Sequence, residues 1–246
     1  MIKFIVICTK VIIIVVVGLL MTSCKYDIDI GNGIDGSGNV VTEKRNLTET
    51  FTKIDVNRGI EVIVEQANEV EIEVEADDNI IKHITTKVEN GVLFISTDES
   101  IDSSEAETVK VKMPTINGLD SSSGSSISSK NTLKGTNLKV KSTTGSKIEA
   151  TIEYDEVTTE SSSGSEITIA GKTLKLSTDS SSGSEINADN LLANDILSDA
   201  SSGSTTTVYP LVSLKATAIS GSSIDYKGTP EAVSENESSG GEVSKN

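Results

Sequence analysis

The second half of the chain repeats one short element, Gly-Ser-Xaa-Ile, and this repeat limits what the chain can fold into. The element begins at Gly124, Gly145, Gly164, Gly183, Gly203 and Gly221, so successive glycines are 21, 19, 19, 20 and 18 residues apart. A flexible Gly/Ser linker keeps no such register. A period near 20 residues is typical of solenoids, in which each repeat is one structural unit that stacks on the next.

Residues around each repeated glycine alternate in polarity. The position seven before the glycine is apolar in five of six repeats, the position three before is always Ser or Ala, and the position three after is Ile in five of six. Odd offsets share one face of an extended chain, and the even offsets are polar. This pattern predicts an all-β fold, a parallel β-helix with coils of about 19 residues, with apolar residues inside. Parallel crossovers favour the right hand, so we expect a right-handed coil.

The alternative fold is an antiparallel β-sandwich, which regularly spaced short strands also permit. A sandwich, however, gives no reason for the same residues to recur at one offset. Residues 41–114, the N-terminal β-strand region, alternate like half-buried strands, and Asn90-Gly91 is a hairpin signal that predicts some antiparallel pairs there. Residues 115–246 form the serine-rich repeats.

The serines beside each glycine have two interpretations. Small hydroxyl side chains inside a narrow coil can hydrogen-bond to one another and to the backbone. Alternatively, they form an exposed hydroxyl array that binds glycan, ice or a partner surface. Because the serines one before and one after each glycine share their parity with the isoleucines, we expect them to face inward.

The N-terminus has the features of an export signal that is removed from the mature protein. Residues 1–23 contain an apolar run that Lys10 interrupts, which leaves it short for a membrane span. Met21-Thr22-Ser23-Cys24 resembles the bacterial lipobox, which implies lipidation of Cys24, and Lys25–Asp29 resembles the charged signals that send lipoproteins of the Bacteroidetes to the outer surface. We expect residues 24–40 to be an anchor and linker on the outer membrane; a plain cleaved signal with a free Cys24 thiol is the alternative.

Several segments also resemble one family, the putative autotransporter adhesin, head GIN domain family of Bacteroidetes lipoproteins. The matching segments are Gly38–Val40, Arg45, Phe51–Val56, Gly59–Val62, Asn79–Ile80, Asn90–Leu93, the Gly-Ser repeats and Gly240–Lys245. This resemblance implies an extracellular β-helical domain. It supplies no catalytic residues to transfer to this chain.

Charge and composition exclude several classes of function. The formal net charge is -16, and loss of Lys3 and Lys10 with the signal would bring it to -18, so nucleic acid is not an expected partner. Only Cys8 and Cys24 are present, so no disulfide can form in the mature domain. His83 is the single histidine, which argues against a zinc site or a Cys/His pair.

Acidic residues at the polar offsets are the candidate binding residues. Four residues before the glycine stand Asp120, Glu160, Asp179 and Asp199, and two residues after it stand Glu166 and Glu185. We expect the first set to form an outward column, with the second beside it, that contacts a glycan or protein surface. Carboxylates on neighbouring rungs also permit a carbohydrate-active enzyme or a calcium site. We expect no aromatic or Arg side chain beside this column to hold a sugar, which disfavours the enzyme.

The sequence therefore predicts a non-enzymatic adhesion or interaction module on the cell surface, without cofactor or resident metal. The alternatives are a carbohydrate-active enzyme and a purely structural envelope protein.

Overall fold

The computed structural model describes residues 33–246. The predicted signal peptide, Cys24 and linker residues 25–32 lie outside the described residues. Within residues 33–246 every regular element is a β-strand. No helix in this part of the chain has the length and apolar content needed to cross a membrane.

The strands fall into an irregular first set and a regular second set. The first set is β1 (Ile34–Asp35), β2 (Val40–Arg45), β3 (Lys53–Val56), β4 (Glu61–Gln66), β5 (Glu71–Asp77), β6 (Ile84–Glu89), β7 (Val92–Thr97), β8 (Ile101–Ser103) and β9 (Glu107–Met113). The second set is β10 (Gly118–Ser121), β11 (Ser126–Ser129), β12 (Leu133–Thr143), β13 (Lys147–Ser162), β14 (Glu166–Ser180), β15 (Glu185–Ala200), β16 (Thr205–Ile219), β17 (Ser223–Tyr226), β18 (Ala232–Ser238) and β19 (Glu242–Lys245).

The second set forms a parallel β-solenoid, which confirms the predicted fold class. Equivalent residues of successive repeats are paired in register, as in the ladder of Ile127, Ile148, Ile167 and Ile186. Each of these isoleucines is at most 1% exposed. The core is therefore a set of apolar columns that run through the stack, and each coil buries its inner face only when its neighbours are present.

Each coil turns sharply at the repeated glycine. That glycine and the residue before it both have positive φ at eight corners, for example 54° at Ser182 and 68° at Gly183. These two left-handed residues interrupt the extended chain, so the alternation of faces stops at the corner and restarts after it. The prediction that the residue before the glycine faces inward is therefore wrong: Ser123, Thr144, Ser163, Ser182, Ser202 and Ser220 are all exposed.

The serines directly after each repeated glycine are inside the coil, as expected. Ser184, directly after Gly183, is 3% exposed, and its Oγ lies 2.7 Å from the carbonyl oxygen of Ser161 in the preceding coil. The same Oγ accepts a hydrogen bond from the backbone N–H of Ser181 at 3.1 Å. Equivalent serines link neighbouring coils at five further corners: Ser125, Ser146, Ser165, Ser204 and Ser222. These six buried hydroxyls, the corner serines, join adjacent turns of the backbone.

Most of the first set of strands belongs to the same solenoid, although its coils are not stacked in sequence order. Strands β1 and β8 pair with each other in a separate two-stranded sheet. Strand β3 lies between β7 and β10, and β4 lies between β9 and β11, with all four pairings parallel. The coil of β3 and β4 is thus inserted between a later coil and the first regular repeat.

Antiparallel strands cover the N-terminal end of the stack. Strand β6 pairs with β7 through the predicted hairpin at Asn90-Gly91, and β5 pairs with both β9 and β2. The expected antiparallel pairs are therefore confirmed. They keep the first edge strands of the solenoid from presenting unpaired backbone groups.

Candidate functional site

The predicted acids form an outward column on the coil. Strand pairing places Asp120 beside Lys141, Lys141 beside Glu160, Glu160 beside Asp179, and Asp179 beside Asp199. Neighbouring parallel strands are about 4.8 Å apart, so these side chains leave the same sheet face at nearly equal spacing. Asp120, Glu160, Asp179 and Asp199 are called the acidic column below.

The members of the acidic column differ in whether a lysine neutralises the charge of the carboxylate. The carboxylate of Glu160 pairs with Lys139, with Nζ and Oε1 2.7 Å apart. Asp179 and Asp199 are exposed and have no ion-pair partner within residues 33–246. Exposed ion pairs contribute little to stability, so nothing in the fold requires an acid at Asp179 or Asp199. Both carboxylates are available to a partner in solution.

Glu166 and Glu185 form a separate row across the corner. They follow the repeated glycine, so they lie on the next strand and pair in register with each other and with Lys147. Lys147 Nζ lies 3.2 Å from Glu166 Oε1. The Ser-Gly corner stands between this row and the acidic column, and the two sets are therefore not one continuous patch.

The acidic column continues into the first half of the chain. Asp55 pairs in register with Asp120 on one side and with Phe94 on the other. The expectation that the column has no aromatic neighbour is therefore wrong at this end. Asp55 could have been found in the sequence, because it stands four residues before Gly59 as Asp120 stands four before Gly124. No glycine stands four residues after Phe94, so the sequence pattern did not indicate that Phe94 belongs to the column.

Burial changes the acidity of the two neighbouring aspartates. Burial raises the pKa of Asp55, and the positive charge of Lys141 opposes that shift. Burial also raises the pKa of Asp120, and the negative charge of Asp55 adds to the effect. This end of the column holds a carboxylate pair that is costly to keep charged.

Within residues 33–246 the predicted carboxylates and His83 do not come together in a recognisable catalytic arrangement. The column carboxylates project from one sheet face in a row, whereas glycosidases place two carboxyl groups on either side of the bond they cleave. His83 Nδ1 lies 2.9 Å from Asp98 Oδ1, and no serine hydroxyl of the described chain bonds to this imidazole. Within residues 33–246 no three His, Cys, Asp or Glu side chains are grouped to hold a metal ion.

An apolar surface lies on β14, β15 and β16, about halfway along the chain between successive corner serines. Leu174, Leu192 and Leu211 are between 41% and 52% exposed and line a cavity of about 520 Å³ together with Tyr154. Exposed apolar groups of this kind are candidates for contact with another molecule. We call Leu174, Leu192 and Leu211 the leucine surface.

Comparison with known proteins finds one family model and several solved structures that resemble this chain. A family model described as putative auto-transporter adhesin, head GIN domain, matches residues 50–230. No protein with a curated description is significantly similar. A putative adhesin from Bacteroides fragilis has a solved structure with a TM-score of 0.82 at 21% identity, covering 87% of this chain and all of that one.

Two structures from Parabacteroides show the same architecture. A putative lipid binding protein from Parabacteroides distasonis gives a TM-score of 0.70 at 20% identity, with 87% of this chain and 99% of that chain covered. A putative adhesin from Parabacteroides merdae gives a TM-score of 0.66 at 20% identity, with 87% of this chain and 98% of that chain covered. At these identities the similarity shows a shared fold.

Proposed function

Because this chain belongs to the putative auto-transporter adhesin, head GIN domain family, we propose that it is a non-catalytic adhesion or interaction module at the cell surface that binds through its acidic column. The observation that carries this proposal is the in-register pair Asp179 and Asp199, which is exposed and without an ion-pair partner in residues 33–246. The expected partner is a cationic or glycan-bearing surface.

The solenoid suits this role because it repeats one contact along a rigid scaffold. Side chains at one offset form a stripe, and extended stripes are how solenoid proteins engage large partners. A single exposed carboxylate binds weakly, but several on one scaffold act together and raise the effective affinity. The net charge of -16 argues against nucleic acid as the partner.

Anchoring at the outer membrane through lipid on Cys24 belongs to the same proposal. Several acyl chains on one residue hold a protein on a membrane for long periods, since each buried methylene contributes about 0.8 kcal/mol. The anchor would place the module outside the cytoplasm and in reach of neighbouring surfaces.

The test removes charge from the acidic column and measures adhesion. The variant carries Glu160→Gln, Asp179→Asn and Asp199→Asn, and its matched control carries Glu69→Gln, Glu99→Gln and Glu105→Gln, three exposed acids elsewhere. We expect the column variant to adhere at least about fivefold less to a glycan-coated or cationic surface, while both variants melt within about 2 °C of the unmodified protein.

Two results would contradict this proposal. Unchanged adhesion of the column variant would move the binding face elsewhere, with the leucine surface as the next candidate. A steep fall in melting temperature when a chelator is added to the unmodified protein would make the column a structural cation site.

A further inference from the structure

A cavity of about 300 Å³ lies where the acidic column enters the first half of the chain. Its walls come from outward side chains of four adjacent strands, β7, β3, β10 and β12. Six of the lining residues are called the platform: Lys53, Asp55, Phe94, Gly118, Asp120 and Lys141. The volume is at the small end of the range for small-molecule sites.

Gly118 lets the Lys53 side chain lie close against the strand because it lacks a side chain. It pairs in register with Lys53 on one strand and Lys139 on the other, so lysines flank it on both sides. A Cβ at Gly118 would lie 3.0 Å from Cγ of Lys53. The backbone here does not have the positive φ that requires glycine at the corners. The small size of Gly118 therefore matters for the shape of this surface, and no turn requires a glycine here.

Asp55 and Asp120 differ in burial from the other in-register acids of the column. Asp179 and Asp199 also stand side by side without an ion pair, but both are exposed, whereas Asp55 and Asp120 are half-buried. Neither Asp55 nor Asp120 accepts a hydrogen bond or makes an ion pair through its carboxylate within residues 33–246. Burial adds to the cost of keeping both charged. A local arrangement that disfavours the fold without a structural gain is typical of a functional site.

We propose that the platform binds a neutral hexose unit of a glycan. Phe94 offers an aromatic surface to the apolar face of the sugar ring. The carboxylates of Asp55 and Asp120 accept hydrogen bonds from sugar hydroxyls, and the ammonium groups of Lys53 and Lys141 donate to them. This inference rests on the proposed adhesion function and names the ligand class for one end of the column.

The platform has dimensions that suit one or two sugar rings. Four strands at about 4.8 Å give a length of roughly 14 Å, and two outward positions on each strand give a width of roughly 7 Å. Its positive and negative groups are mixed, with Lys53 and Lys141 beside two aspartates. That balance favours an uncharged polyhydroxyl ligand over a strongly charged one.

The experiment titrates the purified full-length protein with lactose, maltose and cellobiose and follows binding by NMR chemical shifts. We expect at least one disaccharide to shift platform resonances. Asp55→Asn, Asp120→Asn and Phe94→Ala should each weaken that binding about tenfold or more, since each removes a contact to the ligand. Gly118→Leu, whose side chain would displace Lys53 from its place in the platform, should abolish it.

Matched controls come from exposed acids outside the acidic column and from a later coil. Glu69→Gln and Glu99→Gln are the controls for the aspartate variants, and Thr158→Leu is the counterpart of Gly118→Leu. These three variants should bind the disaccharide within about twofold of the unmodified protein, which is the scatter expected of surface changes away from a site.

The inference is overturned if no disaccharide shifts the platform, or if the platform variants bind as the controls do. It is also overturned if calcium chloride alone shifts the same resonances and the aspartate variants abolish that response. These results leave the adhesion assay of the column variant unaffected. Failure of the ligand class is thus distinguished from failure of the proposed function.

Discussion

The corner serines give the sharpest test of what holds the coils together, and Ser184→Ala is the variant that isolates them. The change removes the hydrogen bond from Ser184 Oγ to the carbonyl oxygen of Ser161, at 2.7 Å, and the bond that Oγ accepts from Ser181 N–H, at 3.1 Å. A buried hydrogen bond contributes about 0.5–1.5 kcal/mol net. Ser181 N–H also donates to the Ser161 carbonyl at 3.0 Å, so neither backbone group loses its last partner.

We therefore expect Ser184→Ala to lower the free energy of unfolding by about 1–2 kcal/mol. For a domain of this size that corresponds to a fall in melting temperature of about 2–8 °C. Ser182→Ala is the matched control, because Ser182 is the exposed serine on the other side of Gly183 and should change stability by less than about 0.5 kcal/mol. Thermal and urea denaturation of both variants provide the measurement.

A double variant extends the test along the stack. Ser146 makes the equivalent bonds two coils away from Ser184, at a separation of roughly 10 Å. Effects at that distance usually add, so the double variant should lose about 2–4 kcal/mol. Equal stability of the Ser184→Ala and Ser182→Ala proteins would refute the role given to the corner serines.

Further predictions concern the corner, two carboxylates and the anchor. Gly183→Val should lower stability by more than about 1 kcal/mol in urea denaturation, because its φ of 68° strains a β-branched residue although no atom lies within 4 Å of the added Cβ, and a neutral result would contradict this. Asp120→Asn should raise stability at neutral pH but not near pH 3, because burial and Asp55 raise the pKa of Asp120 and the cost of its charge disappears as pH falls through that raised value; equal gains at both pH values would contradict it. Lys112 and Lys44 lower the pKa of Glu71 to about 2, so its contribution is complete above its ordinary pKa of 4.5 and is lost as pH falls toward 2. Glu71→Gln should remove that acid-dependent part of the stability profile, and an unaltered profile would show that the ion pairs do not act in solution. Cys24→Ala should move the protein from the membrane fraction to the soluble fraction, and unchanged fractionation would refute the lipid anchor.

The repeats could be predicted from the sequence because each coil carries its own pattern. Alternation around Gly145 or Gly164 places apolar residues inside and charged residues outside without reference to any other coil. The ladder of isoleucines and the outward direction of Asp179 follow from that alternation alone. The parallel solenoid was therefore predictable, and so was the inward face of Ser184.

Features that depend on backbone conformation or on distant pairing were not predictable in the same way. Parity assigns Ser182 to the inside, but two consecutive left-handed residues reset the alternation at the corner. Phe94 reaches the acidic column only because β7 pairs with β3, and a strand's own alternation is the same whichever neighbour it has. The platform could therefore be recognised only from the structure.

The insertion of the β3–β4 coil between later strands sets an order on assembly. A chain that leaves the ribosome or an export channel N-terminus first presents residues 53–66 before either of their neighbours, β7 with β9 and β10 with β11, has emerged. The N-terminal end therefore cannot grow coil by coil as the chain appears. It closes only after about residue 129 is available, whereas every repeat from β12 onward can dock on a finished template. We therefore expect closure of the N-terminal end to be slower than the addition of later coils, because it depends on contacts between strands far apart in sequence.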